Sequence, residues 1–206
     1  MIDPKCKQCR AAGEKLFLKG ARCFSPKCAM SRTPTPPGMH GAKRRRARSE
    51  FGVQLREKQK VKQSYGMRER QFRKYFEIAA GSKQLTTSAL SSLLETRLDN
   101  VVFRLGLAGS RSQARQTVGH GHFTVNGRRV DIPSYHVKQG DMIAIRSGSE
   151  QKKVFQDVRT IVKKYDPPAW LALDKEHLTG KVLHMPVPDE MDVPFNLQLV
   201  TEFYSK

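Results

Sequence analysis

The residues best suited to chemistry in this sequence are four cysteines near its start. Cys6 and Cys9 are separated by two residues, Cys23 and Cys28 by four, and thirteen residues lie between the two pairs. A close pair of thiolates can bind one tetrahedral metal ion, and two such pairs supply the four ligands of a structural zinc site. The spacing therefore predicts one structural Zn²⁺ held by all four cysteines, with no cysteine left over.

Other uses of these cysteines stay open. They could be free or redox-active thiols, they could hold an iron–sulfur cluster, or His40 could replace one thiolate from beyond a proline-rich stretch. Charged residues and a cysteine follow Met1 directly, which predicts no secretory signal and a reducing, cytoplasmic location. A segment this small buries too little apolar surface to fold alone, so the metal would supply folding free energy. Four basic residues lie beside the cysteines and would offset the charge of the thiolates: Lys5, Lys7, Arg10 and Lys27.

The charge of the chain points to a polyanionic partner. Its 206 residues include 38 Lys and Arg against 19 Asp and Glu, a formal net charge of +19. Such an excess repels itself in a compact chain unless a polyanion neutralises it, which favours nucleic acid. Residues 41–75 hold thirteen Lys and Arg against three Glu, whereas residues 166–206 hold three Lys against seven acids. We therefore expect the nucleic-acid-binding surface in the first three-quarters of the chain.

Two other classes of function find little support. No apolar run approaches the length of a transmembrane span, and the basic segments lack a strongly apolar helix face, so no membrane partner is predicted. The sequence also contains no phosphate-binding glycine loop, no nucleophile elbow and no metal–histidine catalytic motif. We predict that the chain is not an enzyme and has no small-molecule substrate.

The elements that position the basic residues of the first half are predicted to be helices. Ser49 precedes a long helical pattern, and Gly66 predicts a break between two helices. Residues 81–88 are polar and predict a linker. Prolines predict irregular structure over residues 151–193. Residues 196–204 fit either a capped helix or a strand.

Residues 93–146 carry the most specific pattern. Apolar residues at helical spacing from Leu94 to Leu105 predict one buried stripe, with the polar residues between them on other faces. A capping box at Ser110 opens a second helix, and Asn126-Gly127 predicts a hairpin with a type I′ turn. Because this segment has its own apolar stripe and hairpin, we expect it to fold alone.

The same segment resembles the S-four RNA-binding module. The resemblance lies in residues 97–104 (RLDNVVFR), 110–116 (SRSQARQ) and 120–129 (HGHFTVNGRR). Further likeness to bacterial small-subunit ribosomal protein four lies in residues 16–20 (LFLKG), 22–24 (RCF), 36–41 (PPGMHG), 55–59 (LREKQ), 65–66 (YG), 69–72 (ERQF) and 202–206 (EFYSK). The chain thus resembles the form of this family that carries zinc and four cysteines.

The resemblance implies a structural component of the small ribosomal subunit in the cytoplasm. It implies direct, early binding of 16S-type rRNA in its 5′ domain, nucleation of small-subunit assembly, and a contribution to translational accuracy. The implied neighbours are other small-subunit proteins, including protein five, and mRNA at the channel through which it enters. Two rival functions are an RNA-modifying enzyme that uses the module as an accessory domain and a non-ribosomal RNA chaperone or repressor.

The implied fold is α+β, with two domains. A mostly helical rRNA-binding domain takes in residues 46–90 and 195–206, after a zinc-binding segment and connector at 1–45. The S-four module, two helices and a small β hairpin or sheet, is inserted with its extension at 91–194. Residues predicted to contact RNA are Lys43, Arg44, Arg45, Arg46, Arg48, Arg56, Lys58, Lys60, Lys62, Arg68, Arg70, Arg73, Arg97, Asn100, Arg104, Arg111, Arg115, Gln116, His120, Asn126, Arg128 and Arg129.

Overall fold

A computed structural model describes residues 4–43, 47–187, 191 and 194–205 of the chain. Its internal contacts divide the chain into two compact units. The first unit comprises residues 1–78 and 194–206, and the second comprises residues 79–193. The first unit therefore includes both the cysteine segment and the C-terminal tail.

The cysteine segment folds into short helices. Helix α1 spans Lys5–Ala12 and ends at Gly13, whose left-handed backbone (φ 75°) suits glycine. A 3₁₀ helix at Gly20–Cys23 and helix α2 at Ala29–Arg32 follow. The apolar cluster here is small, since Cys9, Ala12, Leu16 and Leu18 are its buried members.

Two longer helices follow, as the sequence predicts. Helix α3 spans Glu50–Ser64, and the Ser49 hydroxyl accepts a hydrogen bond from the Gly52 amide at 3.3 Å. Gly66 then adopts a left-handed conformation (φ 61°), and helix α4 spans Glu69–Ala80. No helix among the described residues is long and apolar enough to cross a membrane.

The C-terminal tail is a helix rather than a strand. Helix α10 spans Leu197–Tyr204, and the Asn196 side chain accepts hydrogen bonds from the amides of Gln198 and Leu199. The Phe51 and Phe203 rings lie 5.4 Å apart, so α10 packs on α3. Tyr204 stacks on Phe76 of α4 at 4.8 Å.

The second unit begins with three helices: α5 at Thr86–Glu95, α6 at Leu98–Arg104 and α7 at Arg111–Gly119. Two predictions are corrected here. Helix α5 begins inside the predicted linker, and the predicted single stripe is divided between α5 and α6. The break lies at Arg97, whose extended backbone pairs with His136 in an isolated antiparallel bridge.

A five-stranded antiparallel sheet completes the second unit, in the order β2-β1-β3-β5-β4. The strands span Phe123–Val125 (β1), Arg128–Val130 (β2), Met142–Ile145 (β3), Leu171–Asp174 (β4) and Thr179–Val182 (β5). Asn126 and Gly127 both have positive φ (51° and 77°), which is the type I′ turn that the sequence predicts.

Residues 151–187 are not irregular, which corrects the prediction for this segment. Short helices α8 (Lys153–Gln156) and α9 (Val158–Lys163) precede β4 and β5. Phe155, Val162 and Trp170 are buried in the same apolar core as Leu98, and a Cβ at Gly180 would clash with Leu105. The prolines of this segment lie outside these helices and strands, so they do not prevent regular structure there. A boundary at 146 would therefore cut through one core.

Candidate nucleic-acid interface

Two arginines of α7 are held by carboxylates from neighbouring elements. The side chain of Arg111 is 23% exposed and that of Arg115 is 39% exposed. Arg111 donates from Nε to Asn100 Oδ1 at 2.7 Å and lies over the Phe103 ring at 4.7 Å. Arg115 approaches Asp99 at 3.5 Å. The guanidinium groups are therefore oriented by the protein itself while part of each remains open to solvent.

Glu95 is the acid at the centre of this network, and its side chain is 1% exposed. Its carboxylate accepts hydrogen bonds from Arg104 at 2.8 and 3.2 Å and from Asn100 at 2.9 Å, and Arg111 lies 3.8 Å away. A buried carboxylate needs such partners to offset its desolvation. The sequence analysis did not single out Glu95, although a lone acid at the end of the apolar helix α5 is a usable signal.

Arg97 and Asn100, predicted to lie on other faces than the apolar stripe and to contact RNA, are buried in this network. Arg97 is fully buried, and its guanidinium donates two hydrogen bonds to Asp99 at 3.0 and 2.7 Å. Asn100 is also buried, and Arg104 is engaged by Glu95. These residues stabilise the module, and their predicted role in RNA contact remains untested.

Side chains at the end of α7 and around the turn between β1 and β2 are more exposed to solvent than those of the Glu95 network. Gln116, His120, Arg128 and Arg129 are exposed, whereas the Asn126 side chain bonds to Asp141 and to the Met142 amide.

The neighbouring His122 packs locally. It is buried and lies 3.0 Å from the Ser149 hydroxyl, and burial, followed by nearby Lys152, lowers its pKa.

In the first unit the predicted RNA-contacting residues fall into two groups. Exposed side chains that can face a ligand are Lys43, Arg48, Arg68, Arg70 and Arg73. Partly or fully buried ones are Arg56, Lys58, Lys60 and Lys62. Arg44, Arg45 and Arg46 lie outside the described residues.

Lys58 is not an open cation, which corrects that expectation. It is buried, bonds to Glu69 at 2.6 Å and lies over the Phe203 ring at 4.4 Å. Lys62 and the Tyr204 hydroxyl also donate to Glu69, at 2.9 and 2.7 Å. Burial alone would raise the pKa of Glu69, but these hydrogen bonds hold it at about 2. Burial and the bond to Glu69 raise the pKa of Tyr204.

The four cysteines line one small cavity of about 20 Å³. None of them forms a disulfide, and the Lys19 amide donates to Cys23 Sγ at 3.3 Å. Burial raises the pKa of Cys9. No group of three or more His, Cys, Asp or Glu in the described part of the chain is already placed to hold a metal ion. All four cysteines line this one space, and thiolate is the ligand type that structural zinc sites use.

Comparison with known proteins decides the family. Residues 1–95 match the family described as "Ribosomal protein S4/S9 N-terminal domain", and residues 96–143 match the "S4 domain". The chain is 53% identical over 205 residues to the small ribosomal subunit protein uS4 of Thermus thermophilus, covering 100% of this chain and 98% of the relative. The chain belongs to the uS4 family.

Other relatives extend the match. The uS4 of Caldicellulosiruptor bescii is 52% identical over 205 residues, and that of Ruminiclostridium cellulolyticum is 50% identical over 204, covering at least 99% of this chain and 98% of each relative. Membership of the uS4 family confirms the resemblance seen in the sequence. It also makes the chain a structural, non-enzymatic component of the small ribosomal subunit, and so a cytoplasmic protein, as predicted.

Proposed function

We propose that this chain binds the 5′ domain of 16S-type rRNA directly and nucleates assembly of the small subunit around it. The observation that supports this most is the Arg111–Arg115 pair in the segment that matches the S4 domain. The two arginines lie one turn apart on α7, and buried carboxylates fix their orientation. A fixed guanidinium loses less conformational freedom when it clamps a phosphate, which is how RNA helices are bound through backbone and shape.

The test is a titration of the full chain with a transcript of the 5′ domain, with a 3′-domain transcript of equal length as control. We expect tighter binding to the 5′ domain and a steep fall of affinity with salt, about 0.7–0.9 log units per log unit of salt for each phosphate contact. Equal affinity for both transcripts would contradict the proposed target.

The proposed place in the subunit is beside protein five and the channel through which mRNA enters, where the chain contributes to translational accuracy. Omitting the chain from a reconstitution should yield particles that also lack protein five. A photoreactive nucleotide in mRNA downstream of the decoding site should crosslink to this chain. Normal incorporation of protein five without the chain would argue against nucleation.

We also propose that the four cysteines hold one structural zinc ion. Protein purified without added metal should contain about one zinc per chain. Cys23→Ser should lose the zinc and lower the melting temperature, because metal binding supplies folding free energy to this segment. Ser25→Ala, in the same loop, is the control and should keep the metal. Iron with visible absorbance, or four reactive thiols in the native protein, would overturn the proposal.

A further inference from the structure

Two phenylalanine rings lie on the outside of the cysteine segment. Phe24 is 77% exposed, the largest fraction for any aromatic side chain that the structure describes, and Phe17 is 44% exposed. The two rings stack on each other, with centroids 5.0 Å apart and an interplanar angle of 27°. An aromatic face left in water gives up the free energy that its burial would provide. A partner that covers Phe24 is therefore favoured.

The backbone holds Phe17 in its outward position. Its φ of 49° lies in the left-handed region, which a phenylalanine rarely adopts. Leu16 and Leu18, on either side of it, are both buried in the apolar cluster of this segment. Burial of these two side chains leaves the ring between them at the surface. Strained backbone of this kind persists only where the surrounding structure enforces it, and it is common at binding sites.

Phe24 is also fixed by its neighbours in the chain. Cys23 is buried beside it and accepts a hydrogen bond from the Lys19 amide at 3.3 Å. The amide of Phe24 itself donates to the Ala21 carbonyl at 3.2 Å. The backbone that carries the exposed ring is therefore ordered before any ligand arrives, which lowers the entropic cost of binding.

The surroundings of the two rings are positively charged. Four exposed basic residues each lie within three positions of one of the rings: Lys15, Lys19, Arg22 and Lys27. The acid described in residues 4–32 is Glu14, and its carboxylate pairs with Lys60 at 2.9 Å. The apolar rings are thus framed by positive charge. Unpaired nucleic acid matches this combination, because it carries both negative charge and flat apolar faces.

We propose that the exposed face of Phe24, supported from behind by Phe17, stacks on one unpaired base of the rRNA. Stacking requires a flat π face, which every base has once it is out of a helix, so the site selects an unpaired base rather than a sequence. This inference rests on the proposed rRNA binding and adds a base contact to it. The contact lies in the first unit and is separate from the arginines of α7.

The first test compares substitutions of Phe24 by their affinity for the 5′-domain transcript. Phe24→Leu keeps an apolar side chain and removes the ring, and we expect binding about tenfold weaker, which is about 1.4 kcal/mol. Phe24→Tyr keeps the ring and should bind like the native chain. The log–log salt slope should be the same for all three, because stacking of a base releases no counterions.

Two controls accompany this test. Ile161→Ala removes a half-exposed apolar side chain of α9 and should leave affinity unchanged. The melting temperature of Phe24→Leu should equal that of the native chain, since the side chain is so exposed. Native affinity of Phe24→Leu together with weak binding of Phe24→Ala would indicate an apolar contact, as with a protein partner, and would overturn the proposal. A smaller salt slope in Phe24→Leu would also overturn it.

The second test does not depend on the 5′ domain. The full chain is titrated with an oligoadenylate and with an abasic oligomer of the same length and charge. We expect the native chain to prefer the oligomer that carries bases, and Phe24→Leu to lose most of that preference. An equal preference in both proteins would rule out stacking on Phe24.

The two tests separate the inference from the function on which it rests. If the native chain binds the 5′-domain transcript and Phe24→Leu binds it equally well, stacking on Phe24 is wrong and the proposed function stands. If the native chain does not bind the transcript, the proposed function fails, and the comparison of the two oligomers still decides whether Phe24 stacks on a base.

Discussion

At the scale of single residues, ion pairs with carboxylates determine which positive side chains of this basic chain stabilise the fold. Glu69 binds the ammonium groups of Lys58 and Lys62, and Glu95 binds the guanidinium of Arg104, whereas Arg111 and Arg115 are oriented by carboxylates but stay partly exposed. A sequence-based count of positive residues treats all of these cations alike. The structure separates those that stabilise the protein from those that remain available to RNA.

The pKa of Glu69 predicts acid sensitivity. Its folded-state pKa is lowered from 4.5 to about 2, so its stabilising contribution is complete above pH 4.5 and is lost as the pH falls towards 2. Glu69→Gln should be less stable at pH 7 and should lose less stability between pH 5 and 2.5, as measured by urea unfolding. Glu77→Gln, in an exposed pair with Arg73, should behave like the native chain. Parallel pH profiles for Glu69→Gln and the native chain would refute the prediction.

Replacing Glu95 should lower the stability of the protein more than replacing a surface carboxylate does. Glu95→Gln keeps the size of the side chain but leaves Arg104 and Arg111 without their counter-charge, which we expect to cost about 3 kcal/mol of unfolding free energy. Glu150→Gln removes an exposed partner of Arg159 and should change stability by less than about 1 kcal/mol. Denaturant unfolding of both variants measures the difference, and similar values for the two would contradict the role given to Glu95.

At the scale of elements, the second unit is held together by strands that lie far apart in sequence. β3 pairs with β1 on one side and with β5 on the other, and β5 comes from the segment predicted to be irregular. Residues 93–146 alone would lack β4, β5 and the buried side chains of Phe155, Val162 and Trp170. The S-four motif therefore does not define the folding unit.

This arrangement predicts the behaviour of two fragments. Residues 79–187 should melt cooperatively, as followed by circular dichroism, because they retain the whole sheet and its core. Residues 93–146 should not, since removing the later strands exposes Leu98, Leu105 and Ile143 to water. A cooperative melt of the shorter fragment would show that its own stripe and hairpin suffice.

At the scale of the whole molecule, the net charge of +19 opposes folding of the free chain. Self-repulsion of like charges is screened by salt, over about 10 Å at 0.1 M. We therefore expect the melting temperature of the RNA-free protein to rise when NaCl is increased, with sucrose as an uncharged control for effects of added solute. A melting temperature that falls with NaCl would show that attractive ion pairs outweigh the repulsion.

Features that depend on a few neighbouring residues could be predicted from the sequence. The helix that follows Ser49, the cap at Ser110, the break at Gly66 and the Asn126-Gly127 turn are confirmed because backbone sterics and local hydrogen bonds decide them. The resemblance to the S-four family was also visible in the sequence and is confirmed, whereas the zinc site inferred from the cysteine spacing stays a prediction. The family was therefore predictable before any coordinates.

Other features were decided only by tertiary structure. Arg97 is buried where its backbone pairs with His136, 39 positions later in the chain (97 to 136), and the proline-rich segment forms strands because β3 offers it an edge. The end of α1 packs against α3, which begins 38 residues later in the chain (12 to 50). In each case the deciding partner is brought near by packing, and the energy of a charge or a strand depends on that partner rather than on its neighbours in sequence.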